Sequence, residues 1–418
     1  MYAGAVAVPL ILGQALGLTQ EQVIYLITAD LLTCGIATLV QTLGFGPFGC
    51  RLPLVQGCTF AAVTPMILIG TASDITAIHG SIIVAGVVTV LLSPYFSRLL
   101  RFFPPVVTGT IITVIGLSLL PVAVRWAGGG NAASPEFGNA QSLGLALFVL
   151  VTVILLNSLG KGFVKNISVL GGIVIGTAVA GIFGLTDFSR VGQTNWLGIA
   201  TPFHFGWPTF ELVPCLVMIM VMLVVMIETT GDMLAIGEIV DKEVDEKVVS
   251  RGLMADGAST VLGGIFNAFP YSAFAQNVGL LSLTQVKSRY VVATAGLILI
   301  TLGLFPKLAA IVASVPQPVL GGAGIVMFGM VAVSGIKTLA KVNYNGNSNS
   351  LIVAVSIGAG MIPVAAPNFY HHLPQELQMF LHSGITVASI LAVVMNTALN
   401  GTSSTTVAHS ADTEIAAD

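Results

Sequence analysis

The chain has 418 residues, 55% of them hydrophobic and only 8% charged, against about 25% charged in an average soluble domain. With a mean hydropathy of +0.96 and apolar runs recurring along its whole length, it reads as one integral membrane domain with no room for a sizeable aqueous one. The net charge of -3 sits in loops without any long run, so nothing points to nucleic acid or an acidic ligand as a partner.

The opening stretch MYAGAVAVPLIL is too short to span: twelve residues reach about 18 Å as a helix, against a hydrocarbon core of about 30 Å. It has no basic region of the kind that begins a signal peptide, and it reads as the remainder of a first helix that starts upstream. Further spans are expected near 23–44, 57–72, 80–98, 105–125, 142–160, 167–185, 212–236, 251–268, 272–285, 290–312, 318–337, 350–366 and 378–399, fourteen in all. The tail 401–418 is small and polar, and it is expected to be disordered. Cys34, Cys50, Cys58 and Cys215 lie in or beside apolar spans without framework spacing, and they read as packing residues. No metal or other cofactor is expected.

A cytoplasmic N-terminus would put Arg51, Arg98, Arg101, Lys161, Lys165, Lys242, Lys247, Arg251, Lys287, Arg289, Lys337 and Lys341 in cytoplasmic loops. Arg125, Arg190 and Lys307 would remain outside. That is a pronounced positive-inside bias. The stretch PVVTGTIITVIG (105–116) aligns without gaps to PVLGGAGIVMFG (318–329), at an offset of 213 residues. These are the fifth and twelfth spans. Because their ranks differ by an odd number, the two copies must cross the membrane in opposite directions, as in an inverted repeat of seven plus seven. The same offset maps Pro270–Ser282 onto Gly57–Ile69, two irregular segments broken by proline or glycine. Unwound backbone at membrane depth is tolerated only where it lines a cavity, so the polar pair Gln276–Asn277 is expected to open a half-helix facing a ligand. The alternative is that the pair joins two helices by hydrogen bonds.

The eighth span carries Glu228 and Asp232, four residues apart and hence on one helix face. Each costs at least about 2.5 to 3.5 kcal/mol to insert, so a use is implied. Such a carboxyl suits a proton carrier and can accept hydrogen bonds from N–H groups of a ligand. Glu238 stands near the acidic loop EIVDKEVDE and reads as solvated. For Asp256 in the ninth span and Asp30 in the second, bridging or capping roles stand beside direct coupling. His79, His204, His371, His372 and His382 fall in or near loops or span ends and read as packing or solvated residues.

Taken together these motifs resemble the nucleobase/ascorbate transporter family, and in particular its xanthine and urate permease branch. QNVGLLSLT (276–284) resembles the family pattern Gln-Asn-x-Gly, four residues, Thr, although Gln285 stands where a basic residue usually follows. ETTGDMLAIGE (228–238), ADG (255–257) and QGCTFAAVTPM (56–66) resemble the family's eighth-, ninth- and third-helix motifs. The resemblance implies an all-α polytopic membrane protein of fourteen segments, with short antiparallel strands in segments 3 and 10. A core domain would comprise 1–98 and 212–312, and a gate domain 105–185 and 318–399. By motif position, Glu228 and Gln276 would hydrogen-bond a purine edge, main-chain groups of Ala275 and Phe60 would add contacts, and the Phe60 ring would stack on the base. Asn277 would support Gln276, Thr59 resembles members that accept urate, and Asp232 and Asp256 would serve substrate binding or proton coupling. The family also carries a first-helix histidine upstream of where this chain begins. The expected function is proton-coupled purine uptake across the plasma membrane, most of all of xanthine or urate, by a homodimer. Open alternatives are another nucleobase such as uracil, guanine or hypoxanthine, or an anion carrier of similar fold, in whose pocket Glu228 would repel the cargo unless protonated. An intramembrane acid-pair enzyme lacks an accompanying nucleophile or metal-ligand spacing.

Overall fold

The structure, a computed structural model, describes residues 2–96, 102–130, 132, 134–274, 277–278, 281, 285–346 and 348–401. Arg98, Arg101, Ala275, Gln276 and the tail beyond residue 401 lie outside the described residues. Helix α1 (Tyr2–Ala15) leads through the Thr19 capping box into α2 (Gln20–Leu43). Strand β1 (Gln56–Cys58) and a 3-10 turn (Phe60–Ala62) precede α3 (Val63–Ala72), and α4 (Ile75–Leu92) starts on an Asp74 cap. Next come α5 (Pro105–Ala127), α6 (Ala140–Leu159) and α7 (Ser168–Ile182). The second half holds α8 (Leu212–Ile239), α9 (Glu246–Ile265) and strand β2 (Tyr271–Ala273). It then runs through α10 (Arg289–Gly303), α11 (Pro306–Ala313), α12 (Gln317–Leu339), α13 (Ser348–Ala365), α14 (Gln375–His382) and α15 (Gly384–Asn400).

Seven of the described helices are long and apolar enough to cross a membrane, or eight if α10 and α11 count as one bent span. Their outward faces fit that setting. On α6, Leu143, Leu147, Val151, Ile154 and Leu155 recur at helical spacing and are exposed, a stripe that only lipid would cover without cost. The stretch read as a single span over 290–312 is in fact two helices bent by 82°. The cause is local: α10 ends at Gly303, and Pro306, which has no N–H to continue the ladder, starts α11 at its N1 position. The stretch read as 378–399 is likewise two helices, α14 and α15, separated at Ser383, whose hydroxyl accepts the Thr386 N–H at 3.3 Å and so caps α15.

Helices meet through small residues, because lipid offers no hydrophobic drive for them to associate and close backbone approach must supply it. In the α5–α12 pair, Gly109 faces Leu339, Gly116 faces Ala332, Gly335 faces Thr113, and Gly321 faces Ala127. The residue numbers of each pair add to the same value, so the two helices run antiparallel over their full length. Gly35 and Gly303 bring α2 and α10 together in the same way, and Gly86, Gly257 and Gly264 do so for α4 and α9. The contacts divide unevenly. α5, α6, α7, α12, α13 and α15 pack chiefly among themselves, while α1 to α4 and α8 to α11 form a second group. Among the described contacts between the groups is the Phe60 ring against Phe328 of α12, with centroids 5.7 Å apart and planes at 77°.

Candidate functional site

At the centre of the second group the two strands pair antiparallel, Gln56 with Ala273, Gly57 with Ser272 and Cys58 with Tyr271. The ladder continues beyond them, with Phe274 N–H donating to the Val55 carbonyl at 3.0 Å and Thr59 N–H to that of Pro270 at 2.9 Å. A ribbon this short is not stable alone, and at membrane depth its outer N–H groups need partners. Threonines from three helices supply them. Thr38 Oγ1 on α2 accepts Gln56 N–H at 3.1 Å, Thr260 Oγ1 on α9 accepts Tyr271 N–H at 3.1 Å, and Thr229 Oγ1 on α8 accepts Ala273 N–H at 3.2 Å. Gly57 is required by packing: a Cβ there would sit inside the Phe274 ring.

Three carboxyls gather beside this ribbon. Asp256 Oδ1 accepts from Gln56 Nε2 at 2.7 Å and from Gln41 Nε2 at 3.2 Å, while its Oδ2 is buried without a partner among the described residues. Asp232 also buries an unpartnered Oδ2. Glu228 is half-buried one turn before Asp232 on α8, and the three acids lie within electrostatic reach of one another. No cation compensates them among the described residues, where an ion pair occurs at Lys287–Asp241 (2.7 Å). An acid cluster that holds unused acceptor capacity against amides, rather than against lysine or arginine, is built to receive N–H groups or protons. Among the described residues no group of three or more His, Cys, Asp or Glu could hold a metal ion.

The aromatic side of the site follows β1. Thr59 Oγ1 accepts the Ala61 N–H at 3.2 Å and caps the 3-10 turn that begins with Phe60, so the ring's position is set within a single turn of the strand's end. On the other side, Asn277 Nδ2 donates to the Pro53 carbonyl at 2.8 Å, and its N–H donates to the Phe274 carbonyl at 2.8 Å. Asn277 thus ties the residues after β2 to the segment before β1. Ala275 and Gln276, expected to contact a ligand, lie between these two described flanks and outside the described residues themselves.

The structure brings Thr59, Phe60, Glu228, Asp232, Asp256 and Asn277 around one ribbon, and it adds residues that the sequence reading passed over. Gln41, Gln56 and Thr229 are direct partners of the ribbon or of Asp256. The available signals were that Thr229 directly follows Glu228 in ETTGD and that Gln56 opens the quoted stretch QGCTFAAVTPM; Gln41, near the end of α2, carried none beyond being an amide beside apolar residues. Asp30 lies on α2 away from the three acids, and its Oδ1 accepts the Tyr271 hydroxyl at 2.8 Å. Glu238 is exposed. His79 is buried within the first turns of α4 and stacks toward Phe205, with centroids 6.1 Å apart, and His204 stacks on Tyr25 at 3.8 Å.

A family model described as "Permease family" matches residues 1–369. The chain is 48% identical over 405 residues to the uric acid transporter UacT of Escherichia coli K12, covering 96% of this chain and 84% of that protein. It is 44% identical over 400 residues to the xanthine permease of Bacillus subtilis 168, covering 96% and 91%. Among solved structures, the transmembrane domain of the cyanobacterial bicarbonate transporter BicA superposes with a TM-score of 0.61 at 13% identity, covering 94% of each chain. Murine Slc26a9 in its inward-facing state superposes at 0.62 and 13% identity, covering 95% of this chain and 67% of that one. The last two establish the transporter fold alone, whereas the family match and the close relatives carry more: the chain is a multi-pass membrane protein and belongs to this permease family, the nucleobase/ascorbate transporters.

Proposed function

We propose that the chain carries a purine nucleobase, xanthine or urate, into the cell together with protons. The observation that carries this reading is the uncompensated acid cluster of Glu228, Asp232 and Asp256 beside a ribbon made from both halves of the chain. An oxidised purine presents alternating N–H and C=O groups along its edge and a flat face. A glutamate acceptor, a glutamine able both to donate and to accept, and an aromatic ring match that outline in Glu228, Gln276 and Phe60. Main-chain groups at Ala275 and Phe60 would complete the contacts, with Asn277 holding Gln276 and Thr59 next to the ring. Close relatives named as uric acid and xanthine carriers support the same substrate class. An inorganic anion is a poorer cargo, since it offers no N–H groups to acceptors such as Glu228 and the acids, unless protonated, would repel it.

In this reading α1 to α4 and α8 to α11 form the core domain (1–98 and 212–312), and α5 to α7 with α12 to α15 form the gate domain (105–185 and 318–399). Alternating access is relative motion of the two, with the base held between Phe60 on one side and the α12 face on the other. Fourteen segments in an inverted seven-plus-seven arrangement fit two features. The antiparallel α5–α12 pair joins the aligned copies, and Cys58 and Tyr271, paired in the ribbon, stand at the same sequence separation as Pro105 and Pro318. The strands then belong to segments 3 and 10. Asp232 and Asp256 would take part in proton coupling, the N-terminus would be cytoplasmic, and the working unit in the plasma membrane would be a homodimer. The test is uptake of labelled xanthine in cells expressing the protein, in competition with urate, hypoxanthine, guanine and uracil, with and without a protonophore. Inhibition by urate or xanthine, and collapse of uptake with the protonophore, is expected. Competition by uracil alone, or uptake indifferent to the protonophore, contradicts the reading.

A further inference from the structure

Asp30 is a fully buried carboxyl that the proposed transport step does not use, yet its surroundings are built. It sits in the middle of α2, accepts the Tyr271 hydroxyl at 2.8 Å on Oδ1, and lies 3.7 Å from the Cys34 thiol on Oδ2. Thr33 Oγ1 also hydrogen-bonds the Tyr271 hydroxyl. Tyr271 is the first residue of β2. The other strand is treated in the same manner: Gln56 is the first residue of β1, and its side chain donates to Asp256 in the middle of α9 at 2.7 Å.

The two arrangements correspond in detail. Each aspartate follows an alanine, Ala29–Asp30 and Ala255–Asp256. Each takes the side chain of the first residue of the strand from the opposite half of the chain. In each case the same residue's backbone N–H, at 3.1 Å, goes to a threonine on the helix of its own half, Thr38 for Gln56 and Thr260 for Tyr271. Because the strands are antiparallel, their first residues lie at opposite ends of the ribbon. The ribbon is therefore held at both ends, each end by a carboxyl from the other half. The Tyr271 hydroxyl also meets Thr33 Oγ1 and, at 3.4 Å, the Asp30 carbonyl, but the 2.8 Å bond to the Asp30 carboxyl is the charge-capable one and sets where the phenol sits.

We propose that Asp30 is a positioning residue for the substrate site, the counterpart of Asp256 at the other end of the ribbon. It acts through Tyr271. Tyr271 pairs with Cys58, and the next rung joins Thr59 to Pro270, so the Asp30 clamp fixes the end of the ribbon from which Phe60 projects. The Asp256 clamp, at the Gln56–Ala273 end, fixes the approach to Gln276. The stacking wall and the hydrogen-bonding wall of the site thus have separate anchors. The functional part of this inference rests on the substrate site proposed above.

Two readouts decide it. First, KM and Vmax of purine uptake are measured for Asp30→Ala, Asp30→Asn and Tyr271→Phe, normalised to protein in the membrane. Asp30→Ala and Tyr271→Phe are expected to raise KM on the order of tenfold. Asp30→Asn, which keeps an acceptor for the phenol, is expected to recover most of that loss. Asp30→Ala combined with Phe60→Leu should be far from additive in KM. Second, hydrogen–deuterium exchange on the purified proteins should show faster exchange over residues 57–62 and 270–273 in Asp30→Ala, with or without substrate. A loss confined to Vmax or to protein amount, an Asn variant as impaired as the Ala variant, or unchanged exchange over those residues would each overturn the proposal. If the wild-type chain took up no purine, the proposed substrate would fall, and the exchange measurement would still decide the clamp.

Discussion

Single residues carry unequal weight in this chain because polar groups are so scarce in it. A Gln or Thr that would be unremarkable on a soluble surface must here find a partner or pay the desolvation cost in full. Gln41, Gln56, Thr38, Thr229 and Thr260 all donate to or accept from the ribbon or Asp256, while Gln56 Oε1, Asp232 Oδ2 and Asp256 Oδ2 remain buried acceptors without a partner among the described residues. Gln276, in the proposed role, contributes both a donor and an acceptor to the base. Gln276→Ala is expected to weaken binding of xanthine or urate by about 1 to 3 kcal/mol, roughly 5- to 150-fold, measured by equilibrium binding to purified protein. An unchanged affinity would place the site elsewhere. The motif residues themselves were legible from sequence, since a carboxylate pair or an amide pair within an apolar run stands out without any structure. What sequence could not give was their sorting. From the residues alone Asp30 and Asp256 looked alike as lone acids; the motif resemblance singled out Asp256, and the strand register shows that Asp30 is bound to Tyr271 and Asp256 to Gln56.

Among the elements, helix existence and type followed from apolar runs of spanning length, and boundaries at α2, α5, α6 and α12 fell within a few residues of those read from sequence. The breaks were harder to read. A run of apolar residues looks continuous whether or not its hydrogen-bond ladder is, and the bend at Gly303 to Pro306 shows how a single glycine and proline redirect a chain of unchanged hydropathy. Pairing between helices was not read from the sequence: 105–116 and 318–329 were aligned as repeat copies, and the structure adds that their helices pack against each other through Gly109, Gly116, Gly321 and Gly335. That contact carries its own test. Gly116 on α5 lies directly against the Ala332 backbone on α12, with no room for a side chain. Gly116→Leu should wedge the pair apart, costing about 1 to 3 kcal/mol or more and lowering the melting temperature in detergent, whereas Gly144→Leu, at a site open to its surroundings, should leave it near wild type. Equal melting temperatures for the two variants would mean that this helix contact does not support the fold.

The whole molecule joins two groups of helices, with the ribbon and its acids in one group and the α12 face bearing Phe328 in the other, and buried apolar side chains of α1, α3, α5, α8 and α12 packed together between them. In the proposed transport cycle one group would move against the other, and the apolar side chains they share at the boundary would have to repack. The central proposal is that Glu228, which has no hydrogen-bond or ion-pair partner among the described residues, links base binding to proton movement. The most direct measurement is accumulation of labelled xanthine or urate by proteoliposomes holding purified protein under an imposed inward proton gradient. Wild type should concentrate the base and lose that ability when the gradient is dissipated. Glu228→Gln, which keeps the shape but not the titratable carboxyl, should fail to concentrate it under any gradient. Accumulation by Glu228→Gln equal to wild type would contradict the account.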